Sequence, residues 1–187
     1  METIIQRKGN YRDLICYRKA ETIYDITYLF ANKFLKSSDR TIDQMIQAAR
    51  SGKQNIVEGY AASTTSIESE LRLLNVAKSS LKELLADYED YLRTRELRVW
   101  DKESIEFTTA QELGKKYNDA DYWMDIVKTR NDETIANIAI MLLHQADFLL
   151  YKFMDGISKR FEKDGGFREK LSRIRHNALR KKIFNIP

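Results

Sequence analysis

The sequence predicts an all-α protein, an essentially all-helical bundle, and three observations carry that expectation. The single proline is the last residue, Pro187, and there are only 7 glycines in 187 residues, so the punctuation of turn-rich β folds is missing. Hydrophobic residues make up 43% of the chain and charged residues 32%, the balance of a folded, charge-coated protein. Apolar residues also recur at steps of three and four over long stretches, which places them on single helical faces. The length suits one main domain with an appendage.

The first periodic stretch, Leu14 to Phe34, puts Ile15, Ile23, Ile26, Phe30 and Phe34 on one face. A polar link from Lys36 to Arg40 follows, in which Ser38 and Asp39 can cap a second helix by accepting from its free amides. That helix carries Ile42, Met45, Ile46, Ala49, Ile56 and Val57 on one face. Its expected end is near Gly59, a residue able to take the left-handed C-cap conformation. After the small-polar stretch Ala61 to Ser66, the spacing of Thr65 and Glu68 predicts a capping box that starts the third helix. This helix keeps Ile67, Leu74, Leu81 and Tyr88 seven apart, with Leu71, Leu85 and Leu92 in a second row that only Lys78 interrupts.

Between Arg93 and Arg130 the periodicity weakens, although Phe107, Leu113, Tyr117, Tyr122 and Trp123 support one or two shorter helices. A long helix then runs from about Asp132 to Glu162 with Asn131 as its cap. Its main face holds Ile135, Ile138, Leu142, Leu149 and Phe153, while Ile140, Met141, Leu143 and Leu150 point elsewhere. A helix apolar on more than one side must be covered on more than one side, either by the segment from Glu96 to Thr129 or by another subunit. The hinge-like Asp164-Gly165-Gly166 precedes a short appended helix with Phe167, Leu171, Ile174 and Leu179 at helical intervals.

The start METIIQRKGN lacks the apolar core of a signal peptide. The longest apolar-rich segment, Ile135 to Leu150, is interrupted by Asn137, His144, Gln145 and Asp147, so the expectation is a cytoplasmic protein with no membrane span. The lone Cys16 can form no internal disulfide and has neither histidine near it in sequence, which makes it a poor nucleophile.

Charge is unevenly distributed. The last 21 residues, from Phe167, hold seven basic residues against Glu169 alone, a net of +6, which leaves −2 for residues 1 to 166 because the whole chain is +4. Such a block suits an anionic partner, and Arg168, Lys170, Arg173, Arg175, Arg180, Lys181 and Lys182 are the candidate nucleic-acid-binding residues. The rival expectation is a protein-binding scaffold whose basic tail meets a partner or a neighbouring subunit.

Catalytic signals are weak, and the expectation is a protein without enzymatic activity, cofactor or metal. Asn55 and Glu58 in the last turn of helix two read as a structural junction to the following loop or to helix three. Lys78 reads as a lysine that either extends to solvent or pairs with an acid. Glu83, Asp87 and Asp90 share a helical stripe without a matching carboxylate pair on a second helix, and His144 with Asp147 falls short of a zinc or di-iron ligand set. His144 is expected to be packed or at an interface, and no phosphate-cradling glycine loop is present.

The string Asn55-Ile56-Val57-Glu58-Gly59-Tyr60, followed by Leu71, Leu74, Ala77 and Ser80-Leu81-Lys82-Glu83-Leu84, has a counterpart in a known family, as does Lys19-Ala20 in the first helix. The chain resembles the four-helix-bundle family founded on proteins encoded in intervening sequences of bacterial 23S ribosomal RNA genes. The likeness covers residues 14 to 93 and, by position and character, 132 to 162, and the tail resembles the suffix segment of one branch. The resemblance implies an up-and-down four-helix bundle over residues 1–163 with an insertion at about 96–130, then a basic helical suffix over 164–187. It also implies a homo-oligomer, often a pentameric ring, and for one branch an accessory role that binds RNA or DNA and the reverse transcriptase of diversity-generating retroelements. Many relatives have paired arginines ahead of the Asn55–Gly59 string where this chain has Ile46-Gln47, which moves the expected nucleic-acid surface to the tail.

Overall fold

In the computed structural model, residues 9–36, 38–164, 171–176 and 179–180 are described, and helices are the only regular elements among them. The all-α expectation holds. A 3-10 turn at Tyr11–Asp13 leads into α1 (Ile15–Phe34), α2 (Thr41–Ala62), α3 (Ile67–Thr94), α4 (Ile105–Lys116), α5 (Ala120–Val127) and α6 (Asp132–Asp164). α1 packs on α2 and α6, α2 on α3, and α3 on α6, so these four helices touch in a closed cycle, with α5 laid on α1 and α4 on α6.

Helix periodicity explains most of the core. Ile23, Ile26 and Phe30 of α1, Met45, Ala49 and Ile56 of α2, and Leu74, Leu84, Tyr88 and Leu92 of α3 are fully buried. Phe30 packs against Tyr88 with tilted rings and against Tyr91 edge to face, with ring centroids 5.0 and 4.7 Å apart. The buried Tyr88 hydroxyl is satisfied by donating to Thr27 Oγ1 at 3.0 Å, and Tyr91 Oη donates to Asp132 Oδ2 at 2.8 Å, pinning the start of α6 to α3. Ile15, expected on the core face, is instead 52% exposed, because it opens α1 where little packs over the chain.

One boundary expectation resolves between the two residues it named, and two others change. Asp39 rather than Ser38 serves the start of α2, its Oδ1 accepting from Thr41 N at 2.9 Å. The Thr65–Glu68 capping box is absent. Ser66 caps α3 by accepting from Ser69 N at 3.1 Å, since Thr65 is bound back to Ala62 O in the preceding turn. Gly59 does not terminate α2, which runs on to Ala62. A Cβ at Gly59 would lie 3.3 Å from Glu70 O, and one at Gly52 would lie 2.5 Å from Leu81 Cδ2. Both glycines therefore let α2 approach α3 closely; they do not turn the chain.

The stretch that was weakest in sequence supplies the cover for α6. Every residue from Ile135 to Leu143 is buried, which answers the apolar excess of this helix within one chain. α4 is capped by Ser104, whose Oγ accepts from Phe107 N, and α5 by Asp119, whose Oδ1 accepts from Tyr122 N. Asn131 caps α6 as expected, accepting from Thr134 N at 3.0 Å. Between α3 and α4 the chain crosses α6 and is tied to Asn137: Trp100 N donates to Asn137 Oδ1 at 2.7 Å, and Asn137 Nδ2 donates to Arg98 O at 2.8 Å. By length and composition α6 could cross a membrane, yet 61% of its apolar window is buried inside the protein.

The crossing begins with a tight reversal at the end of α3. Leu97 N donates to Leu92 O at 2.9 Å and Glu96 N to Arg93 O at 3.3 Å, the paired bonds of a Schellman end. Such an end requires a left-handed residue, and Glu96 fills it with φ of 55°. A side chain there crowds its own backbone, so Glu96→Gly is expected to stabilise the protein by about 1 kcal/mol. Urea unfolding checks this: the midpoint should rise with the slope unchanged, and a lower midpoint would contradict the assignment.

Candidate functional site

Part of the basic tail lies among the described residues. Arg173, Arg175 and Arg180 are exposed, with Ile174 half-buried, and Leu171 and Leu179 37% and 50% exposed. Arg168, Lys170, Lys181 and Lys182 lie outside the described residues. Ahead of them the last turns of α6 carry exposed Lys159, Arg160 and Lys163, with Lys159 Nζ bonded to Asp155 Oδ2 at 2.8 Å. Basic residues near a helix C-terminus complement its dipole, which alone accounts for part of this α6 pattern.

The Asn55–Glu58 pair is not brought together. Asn55 Nδ2 reaches back one turn to Ser51 O at 2.9 Å, and Ser51 Oγ lies 2.9 Å from Ser80 Oγ on α3. Asn55 thus joins a small polar contact between α2 and α3 and does not meet the loop, while Glu58 is exposed and Gly59 buried. Lys78 takes the acid-paired option: its Nζ lies 3.4 Å from Asp147 Oδ1 and 5.7 Å from the Tyr151 ring. That half-buried contact joins α3 to α6. Along the acidic stripe of α3, Glu83 is exposed, Asp90 is bound by Arg93 at 2.7 Å, and burial raises the Asp87 carboxyl, helped by Asp90 and Glu83. No group of three or more metal-capable side chains occurs among the described residues. His144, expected to be packed or at an interface, is exposed at the edge of a cavity beside α4.

The structure also builds a polar site around Lys19, which the sequence offered only as half of the Lys19-Ala20 pair. Lys19, 1% exposed, donates from Nζ to Gly114 O at 2.6 Å in the last turn of α4. A helix C-terminus offers unpaired carbonyls and the negative end of its dipole, so a buried ammonium is well placed there. Burial nonetheless pushes Lys19 down to about 8. Beside it Gln145 Nε2 donates to Gln111 O at 2.9 Å, and Gln145 Oε1 is buried without a hydrogen-bond donor among the described residues. A lysine four residues from both Ile15 and Ile23, inside the apolar row of α1, was the available signal. Its partner lies 95 positions away, beyond the reach of periodicity.

No family model, curated protein or solved structure matches this chain.

The Lys19 contact has a pH signature. The unfolded chain holds this proton up to the ordinary 10.5, whereas the folded chain releases it at about 8. The unfolded state therefore binds more protons across that window, and this residue makes stability rise with pH there. The Cys16 thiol, raised by burial to about 11, acts in the opposite direction at the alkaline side. Comparison of wild type with Lys19→Met isolates the lysine: urea unfolding across the window should show a smaller pH-dependent gain for the variant. Equal pH dependence in the two proteins would contradict the buried ammonium.

Proposed function

We propose that the chain is a non-enzymatic, self-assembling protein of nucleic-acid-associated accessory type, holding RNA or DNA through its basic tail. The observation that carries this reading is the exposure of Arg173, Arg175 and Arg180 on a segment whose net charge is +6 while the rest of the chain is −2. Arginine and lysine neutralise phosphates without reading bases, so binding is salt-sensitive and weak in sequence preference. The resemblance to the intervening-sequence proteins and their retroelement branch supports the same reading and adds a reverse transcriptase as the protein partner. The short links at residues 35–40 and 63–66 favour an up-and-down order for α1, α2 and α3. Self-contact, as a pentamer in the family, draws on apolar side chains left at the surface, such as Val76 at 43% and Tyr151 at 55% exposure. The apolar excess of the first half of α6 adds nothing to that surface, because it is already covered within the chain.

A second reading is favoured by one observation. Leu171 and Leu179 are exposed on the same tail, as suits a segment that clasps a protein partner or a neighbouring subunit. The two readings assign the tail to different partners, and one set of variants separates them. Deletion of residues 167–187 is expected to abolish most RNA or DNA binding while the oligomer survives, and glutamate at Arg173, Arg175, Lys181 and Lys182 is expected to do the same. Gel-shift titration at two salt concentrations should show a salt slope lowered by about 0.9 for each phosphate that is no longer neutralised. Unchanged binding by the tail-less protein would overturn the tail's role. No binding by the intact protein, with an oligomer that falls apart on deletion, would favour the scaffold.

A further inference from the structure

The second half of α6 carries two large aromatic side chains that do not belong to the core. Phe148 and Tyr151 are 59% and 55% exposed. They stand three residues apart in one continuous helix, which makes the two rings neighbours on a single face. Single exposed apolar residues are ordinary, but two adjacent rings more than half open to water form a patch that suits a partner. Cations flank both: Lys152 Nζ lies 5.7 Å from the Phe148 ring centroid, and Lys78 Nζ lies 5.7 Å from that of Tyr151. The carboxylates beside the rings are already engaged, Asp147 by Lys78 at 3.4 Å and Asp155 by Lys159 at 2.8 Å. Exposed Arg160 and Lys163 then continue the helix toward the basic tail, with Glu162 between them. Asp147, Asp155 and Glu162 offset much of this charge. Contact with the rings, and not the local field, therefore has to supply the affinity of this face.

Aromatic faces with cations at hand fit unpaired nucleobases. Every base has a π-face that can stack on an aromatic ring, and in a duplex those faces are taken up by neighbouring base pairs. We infer that the nucleic acid held by the tail is single-stranded, with bases stacked on Phe148 and Tyr151 and phosphates met by Lys152 and by the cations toward the tail. This rests on the nucleic-acid reading and adds the class of nucleic acid to it. It also assigns Tyr151 to the strand and not to self-contact. From Phe148 to the end of α6 is about 24 Å at 1.5 Å per residue, so roughly seven nucleotides reach from the rings to the start of the tail.

A fluorescein-labelled 20-nucleotide strand, alone and paired with its complement, tests this by anisotropy titration of the full-length protein at two salt concentrations. The single strand is expected to bind about tenfold more tightly than the duplex, although the duplex carries twice the phosphates. Phe148→Ala and Tyr151→Ala should each weaken single-strand binding about tenfold, in the range of one base stack, and leave duplex binding and the salt slope unchanged. Phe148→Tyr and Tyr151→Phe keep the aromatic faces and should keep the affinity. Thermal melts and light scattering on the same variants check fold and assembly, and the comparison of strand with duplex needs no variant. Duplex binding as tight as single-strand binding, or alanine variants that bind the strand as the wild type does, would overturn the inference and leave the tail's role standing. Alanine variants whose assembly mass falls would overturn it by giving the face to a second copy of the chain. No binding of either form by the wild type would overturn it together with the nucleic-acid reading.

Discussion

A helix that is apolar around its circumference has no side that can face water, and α6 is such a helix from Ile135 to Leu143. The rest of the molecule is arranged around that constraint. α1 and α3 take two flanks, α4 takes a third, and the chain between α3 and α4 crosses the helix near its start. Burial of this kind is the dominant favourable contribution to folding, at roughly 25 cal/mol for each Å² of apolar surface removed from water. It is also non-directional, so it does not by itself decide where α4 and the crossing segment sit.

Direction comes from a few polar groups placed inside the apolar surface. Asn137 binds Trp100 N and Arg98 O, and its Nδ2 also donates to Glu133 O at 2.9 Å, so one amide serves three backbone groups. Lys19 holds the end of α4 through Gly114 O, and Gln145 holds Gln111 O one turn earlier. Of these groups, Gly114 O lies in the last turn of α4, where carbonyls lack an intrahelical partner. The same positions interrupt the apolar rows in sequence, where they look like defects in a hydrophobic stretch. In the folded protein they set the register of the cover. The nucleic-acid reading uses what this arrangement leaves over, the exposed Arg173, Arg175 and Arg180 beyond α6.

Legibility in the sequence followed the range of the physics involved. Helical periodicity is local, and it located α1, α2, α3 and α6 together with core residues such as Ile26, Met45, Leu74 and Ile135. Capping is local too, but it is shared among several competent residues, which is why Ser66 displaced Thr65 and why Asp39 prevailed over Ser38. Gly59 was misjudged because a glycine serves both a helix end and a close helix contact, and only the position of α3 separates the two. The Glu96 reversal was invisible, since a glutamate in the left-handed region has no sequence signature. Lys19–Gly114 and Gln145–Gln111 join residues distant in the chain, and no pattern along one helix announces them. The basic tail was legible as charge alone, and Arg173, Arg175 and Arg180 are found exposed.

Asn137 fastens the crossing segment over α6 and thereby keeps that helix covered. Amide hydrogen exchange on wild type and Asn137→Leu tests it, because the substitution keeps the site apolar while removing the bonds to Trp100 N and Arg98 O. In the wild type the Trp100 amide should be strongly protected. In the variant that protection should be lost, and exchange across Ile135 to Leu143 should accelerate as the cover loosens. A Trp100 amide that exchanges freely in the wild type, or α6 amides whose protection is the same in both proteins, would contradict the account.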